Sequence, residues 1–259
     1  MPKTALMDIV RHCDRILRTD KINDYSGAMN GLQVENHGTV TRIAAAVDAT
    51  LSTIKLAIAL RADLLIVHHG LFWNTRQPWT GKTYEMLRLL LGSNLAVYSS
   101  HLPLDLHPKL GNNVQLCAAL GLRNPRPFFY SKEQHIGVEV RTKLPLEDLK
   151  RRLQAAVGGE PVVIPGGPSL CRRIGIVTGG AGDELKRAAD EGVDTFITGG
   201  TLDYAWTTPA LRLFASEVYD DTDEGLPTAL HLGTAPLPAG TVSAASDHHP
   251  LVIEVGVRK

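Results

Sequence analysis

Hydrophobic and polar positions along the first half of the chain switch between two periods. Met7, Ile9, Val10, Cys13 and Leu17 fall near one face of a helix spanning Met7 to Leu17. Asn30-Gly31-Leu32-Gln33-Val34 reads as a turn entering a short strand, and Arg42 to Asp48 as a strand closed by a carboxylate that can cap the next helix. Leu51, Ile54, Leu56, Ala57 and Leu60 give Thr50–Leu60 a helical spacing. The apolar run at Leu64–His68 predicts a strand, Thr83–Leu91 a helix and Leu95–Ser99 a third strand. Alternating strands and helices with short connections imply βαβ units, so the expected class is α/β, with mainly parallel sheets and flanking helices.

The pattern continues with a helix from Gly111-Asn112-Asn113 through Val114, Leu116 and Leu120 to Gly121. Pro125-Arg126-Pro127 breaks it and marks an expected boundary. Beyond it lie strands at His135–Val140, Pro161–Pro165 and Ile174–Val177, with a helix opening at Pro145-Leu146-Glu147 and running through Leu153. Gly179-Gly180-Ala181-Gly182-Asp183 leads into a helix over Glu184–Glu191, then a strand at Thr195–Ile197. After Gly200 the character changes: Leu226–Ser246 is rich in Pro, Gly, Ala, Thr and Ser, and a strand follows at Leu251–Val255. The expected organisation is a domain over 1–125, a second over 126–199 and an atypical, β-rich C-terminal segment over 200–259.

Composition narrows the function classes. The 259 residues are 44% hydrophobic and 21% charged, ordinary for a globular protein. Lys+Arg and Asp+Glu both total 27, which gives no basic footprint for nucleic acid but leaves room for a nucleotide, which needs only a local patch. Met1–Ala5 lacks the apolar core of a signal peptide and no run approaches the length of a membrane span, so a cytoplasmic protein is expected. Cys13, Cys117 and Cys171 are far apart, as for buried thiols rather than a disulfide framework or a cysteine zinc site.

Chemistry concentrates at two strand ends. His68-His69 follows Leu64-Leu65-Ile66-Val67 and precedes Gly70; Ser99-Ser100-His101-Leu102-Pro103-Leu104-Asp105 follows Leu95–Tyr98. The C-terminal edge of a parallel sheet is where sites form. Imidazoles and a carboxylate suit Zn, Mn, Fe or Ni. Adjacent side chains on a strand point to opposite faces, but where the pleat breaks before Gly70 the two rings can address two neighbouring ions. The alternative is a pair of polar caps. Asp105 can bridge two ions and Pro103 stiffens its loop. His107 reads as a surface residue, and His12, His37 and His135 as non-ligands. Gly179–Gly182 is either an anion cradle or a tight turn, without the lysine and hydroxyl of a P-loop. Trp73 either stacks on a base or packs within its loop.

Taken together, Asn30–Val34, Val67-His68-His69-Gly70-Leu71-Phe72-Trp73, His101–Asp105 with Gly111-Asn112-Asn113, and Gly192–Gly199 resemble the dinuclear-metal-centre proteins known as GTP cyclohydrolase type-2 homologues, the NIF-three-like family. The resemblance spans about residues 8–199. It implies a cytoplasmic α/β protein assembling as a homo-hexamer, with two divalent metals per chain. By motif His68, His69 and Asp105 match the metal ligands, and His101 beside them is the candidate catalytic group, suited to shuttling a proton. The family pattern continues into a Glu and ends in a His followed four residues later by Glu. Here Gly200 stands at the first position and no such pair follows, which implies fewer bound metals.

The tail has a different likeness. Thr201–Trp206 and Ala245-Ser246-Asp247-His248-His249 resemble the end of the endonuclease/exonuclease/phosphatase superfamily, whose Asp–His pair would map onto Asp247 and His248. The alternative there is a polar turn before a strand. The leading expectation is a metal-dependent hydrolase-like protein acting on a nucleotide or phosphorylated small molecule. A metal-binding scaffold or regulatory protein is the alternative, and a phosphodiesterase carried by the tail is a third reading that lacks its partner motifs.

Overall fold

In the computed structural model the described residues are 3–73, 78–159, 161–164 and 166–199, together with the backbone of strands 212–216 and 251–254. They form two compact units, one of residues up to Leu104 with the final strand, the other beginning at Asp105.

The first unit runs β1 (Thr4–Ala5), α1 (Leu6–Leu17), β2 (Gly31–Val34), β3 (Thr39–Val40), β4 (Arg42–Asp48), α2 (Leu51–Ala59), β5 (Leu64–His69), α3 (Gly81–Gly92) and β6 (Ala96–Ser99). The short helix α4 (Leu102–Asp105) carries the chain to the division between units. Strands β4, β5 and β6 are parallel neighbours. The strand pattern explains why this sheet is covered on both faces. Leu65, Val67 and Val97 join Ile54, Ala57 and Leu90 in one apolar cluster, while Leu64, Ala96 and Tyr98 join Leu6, Val10 and Val40 in another. Alternate side chains of a strand point to opposite faces, so a continuous apolar run serves two cores at once. Helix α2 starts where Thr50 Oγ1 accepts the Thr53 N–H at 3.2 Å, a side-chain cap.

The second unit runs α5 (Asn112–Ala119), β7 (Arg126–Ser131), β8 (Gln134–Pro145), α6 (Leu146–Val157), β9 (Val162–Ile164), β10 (Leu170–Gly180), α7 (Leu185–Asp190), β11 (Thr195–Gly199) and β12 (Arg212–Ser216). Its sheet order is β7-β8-β10-β11-β12-β9. One cluster packs Leu116, Cys117, Leu149 and Leu153 of the helices on Val140, Ile174, Ile176 and Ile197. Another gathers Phe128, Phe129, Val177, Leu185 and Phe196.

The α/β class with flanking helices holds, and the parallel pairs lie in the middle of each sheet. In the first, β2 and β13 (Leu251–Glu254) pair antiparallel to β6 and β4; in the second, only β10–β11 and β11–β12 are parallel. The compact division falls after Leu104 instead of at Pro125 because α5 contributes Leu116, Cys117 and Leu120 to the core beneath β8 and β10. Strand β7 was not expected from Pro125-Arg126-Pro127. It lies at the edge of its sheet, where a residue without an N–H costs no ladder hydrogen bond. Of residues 200–259, the two described strands join the sheets: β12 extends the sheet of the second unit and β13 that of the first. Cys13, Cys117 and Cys171 are free thiols, and no helix among the described residues is long and apolar enough to cross a membrane.

Candidate metal centre

Because β4, β5 and β6 are parallel and in close register, their C-terminal ends meet along one edge. Asp48 lies opposite His69, and Val67 opposite Ser99. The next residues therefore place His68, His69 and His101 side by side. Ring centroids are 4.6 Å apart for His68–His69, 4.9 Å for His68–His101 and 5.6 Å for His69–His101. One ring nitrogen from each lies within 4.8 Å of the others.

Each ring is oriented by its Nδ1. His68 Nδ1 is 3.0 Å from the Ser100 carbonyl, an acceptor, so the nitrogen must donate. His69 Nδ1 is 2.6 Å from Asp48 Oδ1. His101 Nδ1 is 2.9 and 3.1 Å from the two oxygens of Asp24. With Nδ1 donating in all three, Nε2 is the nitrogen left with a lone pair. A carbonyl or carboxylate behind the imidazole is the arrangement that fixes a metal-binding histidine's tautomer and raises its basicity.

Electrostatics agree with that role. Burial, followed by the nearby His69 and His101, holds the His68 ring down at about 3 from its ordinary 6.5, so it is neutral at physiological pH. Burial alone would raise the Asp24 carboxyl. Hydrogen bonds from His101 and Asn30, with the positive character of His101 and the Tyr25 N–H, outweigh it and hold the group down at about 2. Asp24 accepts from Asn30 Nδ2 at 2.8 Å and the Leu102 N–H at 3.1 Å, while Asn30 Oδ1 accepts the His101 N–H at 2.7 Å. One loop thus fixes both the ring and the backbone of His101.

The loop after the histidine pair is fastened to β2. Gln33 Oε1 accepts the Leu71 N–H at 2.7 Å, and Gln33 Nε2 donates to the Met29 carbonyl at 2.6 Å. A Cβ at Gly70 would come within 2.3 Å of the Gln33 amide and push it from these bonds. Trp73 donates its indole N–H to the Gly70 carbonyl at 2.9 Å and sets its ring edge-on to His69 and His101, with centroids at 5.3 and 4.9 Å. It is a packed loop aromatic.

Of the residues singled out from the sequence, the structure brings together His68 and His69, and adds His101 to them as an equivalent donor. Asp105 lies in the second unit, at the end of α4, only 7% exposed, and accepts from Asn112 Nδ2 at 2.6 Å. Asp247, His248 and Gly200 lie outside the described residues. His107 Nδ1 accepts the N–H groups of Lys109 and Leu110, a loop cap. Gly179–Gly182 is a tight turn, with the Ala181 N–H donated to the Gly179 carbonyl at 3.0 Å. Asp24 and Asp48 were missed. Asp48 reads as a helix cap in the sequence, a role Thr50 fills; its signal was its place at the end of the strand beside the histidine strand. Asp24 carries no local signal, standing 77 residues from its partner.

Three imidazoles, each oriented through Nδ1, suit a divalent metal of the borderline class. Proteins named GTP cyclohydrolase 1 type 2 homolog from Deinococcus radiodurans and Haemophilus influenzae are 38% and 39% identical to the chain. The first alignment covers 74% of this chain and 73% of that protein, the second 71% and 73%. A crystal structure from Thermus thermophilus is 30% identical, with a TM-score of 0.74 over 82% of this chain and 86% of that one. Residues 4–208 match the model of one family, a span that takes in every histidine of the cluster and both carboxylates behind it. The chain belongs to the Duf34/NIF3 (NGG1p interacting factor 3) family.

Proposed function

We propose that His68, His69 and His101 hold divalent metal through Nε2, and that this centre serves hydrolase-like chemistry on a nucleotide or other phosphorylated small molecule. The observation that carries the proposal is the common design of the three rings: Nδ1 committed to an acceptor, and ligand atoms within 4.8 Å of one another. Bound Zn, Mn, Fe or Ni would supply Lewis acidity, polarising substrate and lowering the pKa of water. The chain's own part is to keep His68 neutral and the rings aimed, with Asp24 and Asp48 as fixed negative charges behind His101 and His69. The motif match adds Asp105 as a further carboxylate ligand and implies a second metal per chain, homo-hexameric assembly and a cytoplasmic setting. The relatives' name supports a nucleotide as substrate.

A second reading, a metal-binding scaffold with little turnover, is favoured by Gly200, which stands where the family pattern has Glu, and by the lack of a later His with Glu four residues on. Elemental analysis of purified protein and of His68→Ala and Asp105→Ala variants tests the metal claim. Stoichiometric metal that falls in the variants supports it; metal-poor wild type, unchanged by substitution, overturns it. Nucleotide turnover across Mn, Zn, Fe and Ni then separates enzyme from scaffold.

A further inference from the structure

We propose that Tyr25 and Met29 form the face that receives the planar base of the nucleotide; this rests on reading the histidine cluster as a nucleotide site. The loop between α1 and β2 has two sides. Asp24 turns inward to His101, whereas Tyr25 and Met29, its neighbours in the same loop, are 52% and 60% exposed. The Tyr25 ring nonetheless stays at the cluster, its centroid 5.9 Å from that of His101 and tilted by 43°. An aromatic face and a polarisable thioether left in solvent beside a polar site forgo burial that a packed position would give them.

Trp73, the other aromatic at the cluster, is already committed: its N–H goes to Gly70 and its edge to His69 and His101. Tyr25 keeps 52% of its surface exposed while its ring stays against His101. Its loop is also held in place. Asn30 donates to Asp24 at 2.8 Å, the Met29 carbonyl accepts from Gln33 at 2.6 Å, and the Met29 N–H reaches the Phe72 carbonyl at 3.5 Å. A platform fixed before binding loses little entropy when a ligand lands on it. Every base presents a π-face, and stacking on an aromatic side chain tolerates differences in base identity. The class of ligand that fits is a nucleotide whose phosphates lie toward the histidines and whose base rests on Tyr25 and Met29.

The test compares GTP with inorganic tripolyphosphate by titration calorimetry on wild type, Tyr25→Ala, Tyr25→Phe and Met29→Ala, with metal content measured on every sample. Tyr25→Ala is expected to weaken GTP at least about fivefold and leave tripolyphosphate unchanged, with Tyr25→Phe within about twofold of wild type and Met29→Ala between them. Equal losses for both ligands, unchanged GTP binding in Tyr25→Ala, or no GTP binding by wild type overturns the proposal. A change of sedimenting mass in Tyr25→Ala would assign the face to contact between copies of the chain and overturn it as well. GTP is titrated whether or not metal is retained, so Tyr25-dependent binding in metal-poor protein would sink the metal reading alone.

Discussion

The parallel strands of the two units end in the same architectural position, and they use it in opposite ways. In the first unit the ends of β4, β5 and β6 carry Asp48, His68, His69 and, just beyond, His101; their hydrogen bonds engage Nδ1 of each ring. In the second, the ends of β10 and β11 carry Thr178, Gly179 and Thr198. Thr198 Oγ1 donates to the Gly179 carbonyl at 2.9 Å and accepts the Ala181 N–H at 3.2 Å. Buried Asn113 closes the remainder, accepting from the Thr178 N–H at 2.8 Å and donating to the Ile136 carbonyl at 2.9 Å. Both ends are polar and both are paired. The difference is that an imidazole retains a second nitrogen after its first is satisfied, while these hydroxyl and amide groups are turned on one another. Topology supplies the edge, and side chains with surplus ligand atoms make it a site.

That contrast can be broken most forcefully at the rings. Replacing His68, His69 or His101 by Ala removes a ligand outright, and metal affinity is expected to fall by more than about 100-fold, beyond the loss typical of an outer partner. Competition with a chelator of known affinity measures it; retention of wild-type affinity in all three variants would mean the cluster is structural. Asp48→Asn and Asp24→Asn come next. They keep the shape but remove the charge behind His69 and His101, and an affinity loss of about 10- to 100-fold is expected. Asp24→Asn also weakens the acceptor of the Tyr25 and Leu102 N–H groups.

In the second unit the effects should be on stability alone. Asn113→Leu strands the part-buried Thr178 N–H and Ile136 carbonyl, and a loss of about 1–3 kcal/mol in all is expected in urea unfolding, with metal content untouched. A fall in metal content would show that the two ends are not independent. Acid should act on the first unit. His68 is held at about 3 against an ordinary 6.5, so its folded state resists protonation. The stability it contributes to metal-free protein is complete above pH 6.5 and lost as pH falls from there toward 3. Asp24, lowered from 3.8 to about 2, adds a loss only as pH falls through that lower window. Melting temperature against pH should therefore begin to drop near 6, with His68→Gln flattening the upper part of the curve. The smallest change is Ser100→Ala. Ser100 Oγ is buried without a hydrogen-bond partner, so its removal should raise stability by up to about 1 kcal/mol and leave metal affinity alone.

Much of the first sheet was legible because its elements are local and periodic: Arg42–Asp48 is the strand that the sequence predicts, and α2 and β5 differ by a residue or so at their ends. The histidine pair was legible for the same reason, standing at the end of an apolar run. What escaped depends on contacts distant in sequence. Asp24 and His101 meet only because α1, β2 and β6 fold against one another. Spacing likewise cannot show that His101 Nδ1 is bound by Asp24. Strand β7 escaped because prolines argue against a strand unless its place at a sheet edge is known. The sheet pairings of β12 and β13 escaped because the local apolar pattern of a short strand does not say which sheet it joins.

The central claim is that three histidines, aimed through Nδ1, act together as metal ligands. X-ray absorption on zinc-loaded protein, recorded for wild type and for His101→Ala, tests it most directly. The account predicts the outer-shell scattering of three imidazoles in wild type and a loss of one of them in the variant. A zinc environment dominated by other ligands, or an imidazole count unchanged by His101→Ala, would contradict it.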